Sequence, residues 1–221
     1  MVWSQKSYKY FYDHIHSYYY NLLIKWCFLP FGGEKRLRGE LIVSIDFTPG
    51  EKILDMCCGT GGASFVIAQK AGETSEVVGM DLSSGQIEVA RRRNRLANVQ
   101  FAEGDVAATS FSSGYFEKVF VTHALHEMAR DVRLKVLAEA RRVLRDNGKV
   151  IILDLDNPQN LLVRLFIGFW FFYWLPLNFE TPTRKDMFQH GLTQEVEEVG
   201  FKCVAKLSKS HGVFQVVQGI K

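Results

Sequence analysis

The feature that most restricts the fold of this chain is an alternation of two kinds of segment, which begins at Lys52. Short runs of β-branched and apolar residues are followed by helical stretches of roughly 10 to 15 residues. Such an alternation is typical of a doubly wound α/β fold, in which helices cover both faces of a mostly parallel sheet. The predicted strands are Lys52–Met56, Glu76–Asp81, Val99–Glu103, Phe116–Thr122 and 148–154, and the predicted helices are Gly62–Ala71, 84–97 and 131–145.

Local signals predict where several of these segments end. Ser83 and Ser84 are favourable N-caps for the second helix, and Asn147-Gly148 is expected to close the third. Two further strand-like runs, 201–208 and 213–220, are joined by a short turn at 209–212. They predict an antiparallel hairpin at the C-terminal end of the sheet, which then has seven strands.

Length and composition predict one globular domain. The chain has 221 residues, of which 47% are hydrophobic and 23% are charged. The segment before the first strand is crowded with aromatic residues, and we predict that it forms an N-terminal helical cap over 1–48. The core domain is predicted over 49–221, with an aromatic insertion at 157–184 after the fifth strand.

Charge and cysteine usage argue against two classes of ligand. The formal net charge is only +3, and the arginine cluster at 91–95 lies on a predicted helix without a nucleic-acid-binding motif nearby. We therefore expect a solvated helix face and no nucleic-acid partner. The four cysteines, at 27, 57, 58 and 203, lack the CxxC spacing of a zinc site, so we expect no bound metal and reduced thiols in the cytoplasm. The N-terminal residues also lack the order of a signal peptide.

One apolar run, 161–177, is nearly long enough to be a membrane-spanning helix. It contains Arg164 and Pro176 and falls short of the roughly 20 apolar residues that cross a bilayer. Because it is apolar around its whole circumference, we expect it to be buried, to form an oligomer contact or to dip into a lipid surface. A homodimer and a peripheral contact with the inner membrane face therefore both stay open.

The turn after the first predicted strand is the main candidate for a ligand site. The sequence from Ile53 to Gly62 reads as a strand that ends near an acid, followed by a small-residue turn and a helix. Dinucleotide oxidoreductases use a related turn, so the glycines alone do not show which cofactor binds there. Asp55 before the turn would repel a pyrophosphate but attract an ammonium group, which disfavours a nicotinamide cofactor.

Two further acids follow the next two strands. Asp81 stands at the distance at which a carboxylate can accept both ribose hydroxyls, although it could simply cap the following helix. Asp105, after the third strand, is placed to accept a hydrogen bond from an adenine amino group, with Val106 lining the ring. Three acids after successive strands predict one nucleoside-binding edge.

In these motifs the chain resembles the class I S-adenosylmethionine-dependent methyltransferases over about 52–156. Within them it is most similar to the ubiquinone and menaquinone C-methyltransferase group, a likeness that extends to Tyr12-Asp13, to 140–149 and to the terminal hairpin. The resemblance implies a Rossmann-like fold and S-adenosylmethionine as cofactor, with S-adenosylhomocysteine as product. The cofactor-binding residues that it implies are Asp55, Cys57, Gly59, Thr60, Gly61, Asp81, Leu82, Gly104, Asp105, Val106 and Thr122.

Cys57 departs from the family pattern, in which the turn opens with glycine or alanine. A thiol is small enough for binding, but a positive φ at this position would be strained. The adjacent Cys58 forms a vicinal pair with it, yet no second pair or suitably spaced histidine supports a metal site. We expect both to be small buried side chains.

Candidate catalytic residues follow the fourth and fifth strands, where the methyl group is expected to lie. His123 and His126 are candidate bases because histidine titrates near neutral pH, although His126 could also cap or pack a helix. Asp154 and Asp156 are the alternatives.

Aromatic residues concentrate outside the predicted cofactor-binding core. Residues 1–31 contain 11 of the 29 aromatic residues and 161–179 contain 8. In the resembled family, the corresponding segments roof the active site, which implies a hydrophobic acceptor such as a quinone or a lipid head group. The alternatives are a methyltransferase of a soluble metabolite and a non-catalytic protein that binds the cofactor or its product. The predicted acceptor-binding residues are Tyr12, Tyr19, Phe169, Trp170 and Tyr173.

Overall fold

The computed structural model describes residues 25–171 and 181–221. They form a seven-stranded sheet of order β3-β2-β1-β4-β5-β7-β6. The strands are β1 (Lys52–Met56), β2 (Glu76–Asp81), β3 (Val99–Glu103), β4 (Phe116–Thr122), β5 (Leu144–Leu155), β6 (Lys202–Lys209) and β7 (Phe214–Ile220). The α-helices are α1 (Glu34–Ile42), α2 (Gly62–Ala71), α3 (Ser84–Arg93), α4 (Arg130–Val143), α5 (Leu161–Trp170), α6 (Thr181–His190) and α7 (Leu192–Glu198).

The order of the strands creates a crevice at one edge of the sheet. β1 pairs in parallel with β2 on one side and with β4 on the other, so the direction of winding reverses between β1 and β4. Ligands of open α/β sheets bind outside the carboxyl ends of the strands at such a switch point. The predicted Rossmann-like sheet is confirmed, and its first four strands begin and end where the sequence pattern placed them.

The C-terminal hairpin is also confirmed. β7 runs antiparallel to both β5 and β6, and a short 3-10 turn, Ser210–Gly212, joins the two hairpin strands. Asp156 lies where β5 leaves the sheet, and its carboxylate accepts hydrogen bonds from Lys206 and Ser208 of β6. Asp156, which the sequence offered as an alternative catalytic residue, therefore connects β5 to the hairpin.

The second predicted helix was too long at its C-terminal end. α3 ends at Arg93, because the backbone of Asn94 turns to an extended conformation with φ −63° and ψ 130°. The Asn94 side chain holds this turn, since it donates to the carbonyl of Val99 and accepts from the amide of Leu96. The predicted cap at Ser83 is confirmed by the hydrogen bond from the amide of Gln86 to its hydroxyl.

The prediction that Asn147-Gly148 closes the third helix was wrong. α4 ends at Val143 and β5 begins at Leu144, so both residues lie within the strand. The register of β4 with β5 shifts here, and Asn147 takes a left-handed φ of 60°. A Cβ on Gly148 would lie 2.8 Å from the carbonyl oxygen of Arg145, so the glycine permits a close backbone approach.

Two hydrophobic clusters fill the two faces of the sheet. Ile53 and side chains of α2 and α3 belong to the first cluster, and Leu54 and side chains of α4 belong to the second. Leu37 and Leu41 of α1 are buried in the first cluster, so the described part of the predicted cap, 25–48, shares the core of the sheet. The domain boundary at 48 stays a prediction.

In the described parts of the chain, the structure contains no helix with the length and apolar character needed to cross a membrane.

Candidate active site

The glycine turn after β1 has the backbone that its residues predict. Gly59 and Gly61 both have left-handed φ values, of 54° and 82°. A Cβ on Gly61 would lie 2.7 Å from the ring of Phe101, so only glycine fits there without a shift. Cys57 also has a positive φ, of 58°, and a non-glycine residue in this region is strained.

Asp55 is a fully buried carboxylate directly beneath this turn. Its Oδ2 accepts a hydrogen bond of 2.6 Å from the hydroxyl of Ser64 in α2, while Oδ1 is buried without a hydrogen-bond partner. Burial raises the pKa of Asp55 to about 6, against the opposing effects of the Ser64 hydrogen bond and the positive charge of Arg38. A buried carboxylate oxygen without a partner suits a cationic ligand group.

The raised pKa of Asp55 predicts that cofactor affinity depends on pH. An ammonium group binds the ionised carboxylate, which predominates only above a pKa of about 6. We expect the dissociation constant for S-adenosylmethionine, measured by calorimetry, to rise about tenfold from pH 7 to pH 5. Asp55→Asn should bind more weakly at pH 7 and lose most of this dependence. A wild-type affinity that is constant from pH 7 to pH 5 would contradict the role of Asp55.

Asp81 lies at the end of β2 and connects two loops of the carboxyl edge. Its Oδ2 accepts from the amide of Gly59 at 2.9 Å, and its Oδ1 accepts from the amide of Ser83 at 2.9 Å. Its backbone carbonyl accepts from the amide of Gly104 at 2.9 Å. The glycine turn, the end of β2 and the loop after β3 are therefore joined through one residue. Leu82, which follows it, is half-buried.

The loop after β3 supplies one exposed and one buried side chain. Asp105 is exposed, and its Oδ1 accepts from the amide of Ala107 at 2.8 Å. Val106 is buried in the second hydrophobic cluster beside Met80. The assignment of these two residues to an adenine ring stays a prediction.

The side chain of Thr60 is turned toward the arginine cluster. Its hydroxyl accepts a hydrogen bond of 2.8 Å from Arg93, which also donates to the Thr60 carbonyl. Arg91 donates twice to the carbonyl of Phe101. Two of the clustered arginines therefore stabilise the loops of the site from behind, a role that sequence reasoning missed.

His126 and Asp154 form a buried pair at the ends of β4 and β5. His126 lies in a 3-10 turn, Leu125–Glu127, and its Nδ1 is 2.6 Å from Asp154 Oδ1. Burial raises the pKa of Asp154, but His126 and the amide of Leu155 outweigh it and hold the pKa below its usual value. A carboxylate can only accept, so Nδ1 of His126 carries the proton of this bond, and Nε2 lies 3.9 Å from Glu127 Oε1.

His123 has a different environment. Its backbone is left-handed, with φ 52°, and its ring lies between Phe28, with ring centroids 5.4 Å apart, and Phe214, at 5.5 Å. Nε2 is buried without a hydrogen-bond partner. Burial and the charge of Arg38 lower the pKa of His123 to about 3, so the ring is neutral near pH 7. An imidazole with so low a pKa is a weak base, so His123 is better suited to hydrogen bonding than to removing a proton.

Arg38 is a buried cation that the sequence analysis did not identify. It lies on α1 and is 4% exposed, and its guanidinium donates to the hydroxyl of Thr122 at 3.4 Å. The sequence did not predict the burial of Arg38, because charged residues lie on both sides of it in α1 and such a pattern is also typical of a solvated helix. It brings a positive charge to the same edge as Asp55.

The predicted acceptor-binding residues are placed unequally. Trp170 is half-buried and stacks on Trp26, with ring centroids 4.8 Å apart, and its Nε1 is buried without a partner. Phe169, by contrast, is 67% exposed on the outer face of α5, so the structure does not bring these two together. Tyr12, Tyr19 and Tyr173 lie outside the described residues.

The residues at this edge fit S-adenosylmethionine. The glycine turn leaves room for a ligand against the backbone, Asp55 offers a buried oxygen to an ammonium group, and Asp81 offers a carboxylate at the end of the neighbouring strand. These protein groups match a ligand in which a zwitterionic amino acid is joined to a nucleoside.

Comparison with known proteins agrees with this geometry. Residues 53–148 match the family model of a methyltransferase domain. An uncharacterised methyltransferase of Synechocystis sp. is 30% identical over 204 residues, which cover 90% of this chain and 89% of the relative. Demethylmenaquinone methyltransferase of Staphylococcus saprophyticus is 25% identical over 170 residues, which cover 75% of this chain and 72% of the relative.

A plant relative and a solved structure complete the comparison. The chloroplast 2-phytyl-1,4-beta-naphthoquinone methyltransferase of Arabidopsis thaliana is 34% identical over 127 residues, 55% of this chain and 48% of that protein. A crystal structure of a SAM-dependent methyltransferase from Aquifex aeolicus shares the fold, with a TM-score of 0.64 at 16% identity over 83% of this chain and 88% of that one. The chain is therefore a member of the class I S-adenosylmethionine-dependent methyltransferase family.

Proposed function

We propose that this enzyme methylates a small hydrophobic acceptor that carries a ring hydroxyl, and that a reduced quinone is that acceptor. The observation that carries the proposal is the buried His126–Asp154 pair, which lies at the end of β4, beside the cofactor turn, among apolar side chains. The names of two relatives, which refer to menaquinone and naphthoquinone, support the same class. A lipid head group and a soluble metabolite are the competing acceptors.

His126 is assigned the role of base. Asp154 keeps Nδ1 protonated and stabilises the imidazolium, so that Nε2 accepts the proton of the acceptor hydroxyl. Loss of that proton raises the electron density of the neighbouring ring carbon. That carbon would take the methyl group as the C–S bond of the sulfonium breaks, and would then lose its own hydrogen as a proton, which restores the aromatic ring. When bound, the cofactor supplies an electrophilic methyl group on its sulfonium. Asp154 is fully buried and acts through His126, so it is a positioning residue.

His123 is assigned the orientation of the acceptor ring. Its ring contacts those of Phe28 and Phe214, and Phe31 packs against Phe214, with 4.9 Å between their ring centroids. A flat apolar acceptor packs favourably against such rings. The buried Nε2 of His123 then has a partner in an oxygen of the acceptor. Trp170 is proposed to contact the acceptor, together with the tyrosines at 12, 19 and 173.

The acceptor class is tested with a matched pair of short-chain naphthoquinones that lack the ring methyl group. One is kept reduced and the other oxidised, and each is incubated with the enzyme and S-adenosylmethionine. The reduced compound should gain one methyl group on carbon, as measured by mass spectrometry, and the oxidised one should not. Equal methylation of both compounds, or of neither while a polar metabolite is methylated, would contradict the proposal.

α5 supports a peripheral membrane contact as part of the same proposal. Its inner face consists of Val163, Ile167 and Trp170, which are buried or half-buried. Its outer face is also apolar, although it is exposed to between 48% and 75%. Soluble proteins rarely expose an apolar outer face on a surface helix, whereas helices that lie at a membrane interface typically do. The residues of this outer face are Leu161, Leu162, Leu165, Phe166 and Phe169.

The exposed charges next to the outer face favour a lipid surface over a second copy of the chain. Arg164 is exposed on α5, and Lys25 is exposed beside Trp26, which stacks on α5. Anionic head groups attract both cations. In a two-fold dimer through the centre of α5, Arg164 would face its own copy, which is repulsive.

Replacing the two most outward side chains should release the protein from lipid. We expect the double variant Leu162→Ser and Phe169→Ser to partition at least about tenfold less onto vesicles with anionic lipid, because each side chain contributes about 1.5–3 kcal/mol when buried. Val132→Ser, a substitution of an exposed apolar residue on α4, is the matched control and should leave binding unchanged. Wild-type protein that stays unbound, or elutes as a dimer that the double variant abolishes, would contradict the membrane contact.

A further inference from the structure

Two charged residues of α1, Glu34 and Arg38, are hydrogen-bonded to each other next to the site. Arg38 Nε donates to Glu34 Oε1 at 3.1 Å, one helical turn away. The guanidinium lies over the ring of Phe28, 5.7 Å from its centroid, and also reaches the Thr122 hydroxyl. A buried guanidinium needs an anionic partner, because an unpaired buried charge is strongly unfavourable. Within the described residues, Glu34 is the carboxylate hydrogen-bonded to it.

The carboxylate of Glu34 sits against the start of α2. A Cβ added to Gly62, the first residue of α2, would overlap Glu34 Oε1 and would lie 3.3 Å from Arg38 Nε. The first turn of α2 has no side-chain cap, so the positive end of this 10-residue helix faces the same point. A carboxylate is thus held between a guanidinium and a helix N-terminus, in a site shaped by the absence of a side chain at position 62.

Asp55 provides an independent sign that a ligand belongs here. Its buried Oδ1 has no partner, whereas its Oδ2 accepts from the hydroxyl of Ser64 in the first turn of the same helix. Arg38 is close enough for its charge to act on Asp55. An anion site and a cation site therefore adjoin at the start of α2, which is the charge pattern that recognises the two ends of an α-amino acid.

We propose that Arg38 binds the carboxylate of the methionine part of S-adenosylmethionine, and that Glu34 occupies this position as an internal competitor until the cofactor displaces it. The exchange keeps the buried guanidinium paired throughout, because one carboxylate replaces another. Glu34, which is already 20% exposed, moves into water. The inference rests on the cofactor assignment and not on the identity of the acceptor.

Two ligands that differ only in the carboxylate test this directly. Calorimetry would compare S-adenosylmethionine with its decarboxylated form, for the wild type and for Arg38→Met. The wild type should bind the carboxylate-bearing ligand more tightly, and Arg38→Met should lose at least about tenfold of its affinity while binding of the decarboxylated ligand changes little. Arg38→Lys keeps the charge and should retain part of the preference.

Glu34→Gln tests the competition. Removing the internal carboxylate should tighten binding of S-adenosylmethionine severalfold, whereas weaker binding would overturn the role assigned to Glu34. Arg36→Met alters an exposed arginine of the same helix, paired with Glu40, and should change neither affinity. Equal losses for both ligands in Arg38→Met would overturn the inference and leave the cofactor assignment intact. Failure of the wild type to bind S-adenosylmethionine would refute both.

Discussion

Replacing His126 by glutamine is expected to lower kcat by about two to four orders of magnitude, the range that general-base catalysis contributes. Glutamine cannot take the proton of the acceptor hydroxyl, whereas the N–H of its side-chain amide can still donate to Asp154 in place of Nδ1. S-adenosylmethionine should bind with nearly wild-type affinity, because His126 lies after β4 and its bonded partner is Asp154 rather than the glycine turn. Steady-state kinetics with the reduced naphthoquinone, together with calorimetry of the cofactor, measure both quantities.

His123→Gln is the matched comparison for this prediction. Because the ring of His123 is neutral near pH 7 and is enclosed by Phe28 and Phe214, its loss should raise KM more than it lowers kcat. Asp154→Asn should lower kcat with KM little changed, since Asp154 acts on the tautomer of His126. If His126→Gln keeps wild-type turnover, or if His123→Gln loses as much, the base has been assigned to the wrong residue.

Replacing Asp81 by alanine is expected to weaken cofactor binding by at least about a hundredfold. The substitution removes a charged acceptor for the ribose hydroxyls, and hydrogen bonds to charged groups contribute about 1.5–3 kcal/mol each. It also releases the amides of Gly59 and Ser83, which shape the turn. Calorimetry with S-adenosylhomocysteine measures the loss, and thermal unfolding measures any effect on the fold.

A ligand lacking both ribose hydroxyls separates these two effects. Its affinity should be low for the wild type and should fall little further in Asp81→Ala, because the interaction that the variant removes is already missing. Asp81→Asn, which keeps the shape and one acceptor oxygen, should lie between the wild type and Asp81→Ala. Equal losses for both ligands would mean that Asp81 supports the turn without contacting the ribose.

The sheet could be predicted from the sequence because each strand is a short apolar run between clear turn signals. The first four strands were predicted to the residue, because each is a short run of β-branched and apolar residues. The wrongly predicted boundaries lie where side-chain hydrogen bonds or the register of two strands determine the end of an element. Asn94 ends α3 through its own hydrogen bonds, and Asn147 belongs to a bulge of β5 whose partner strand lies far away in sequence.

The acids of the site could be predicted because each lies at or just after the end of a strand, and the ends of parallel strands meet at one edge. Arg38 could not be, since its burial depends on the packing of α1 against the sheet and α1 lies outside the alternating pattern. The contrast between His123 and His126 was equally hidden. Three residues apart in sequence, one ring is enclosed by phenylalanines and the other is bonded to Asp154.

The aromatic run at 161–177 shows a further limit of pattern reading. It looked apolar around its whole circumference, and the structure divides its described part into an inward face at Val163, Ile167 and Trp170 and an outward face that is equally apolar. Periodicity cannot separate two apolar faces of one helix. Only the packing partners, such as Trp26 against Trp170, distinguish them.

An unbiased transfer experiment tests most directly which class of molecule this enzyme methylates. The purified enzyme is incubated with S-adenosylmethionine labelled in the methyl group and with a cell extract separated into lipid, metabolite, protein and RNA fractions. We expect label in the lipid fraction, on a compound whose mass and fragmentation show a new carbon-bound methyl group on a phenolic ring, and no such label with His126→Gln. Label confined to water-soluble metabolites, protein or RNA would contradict this expectation.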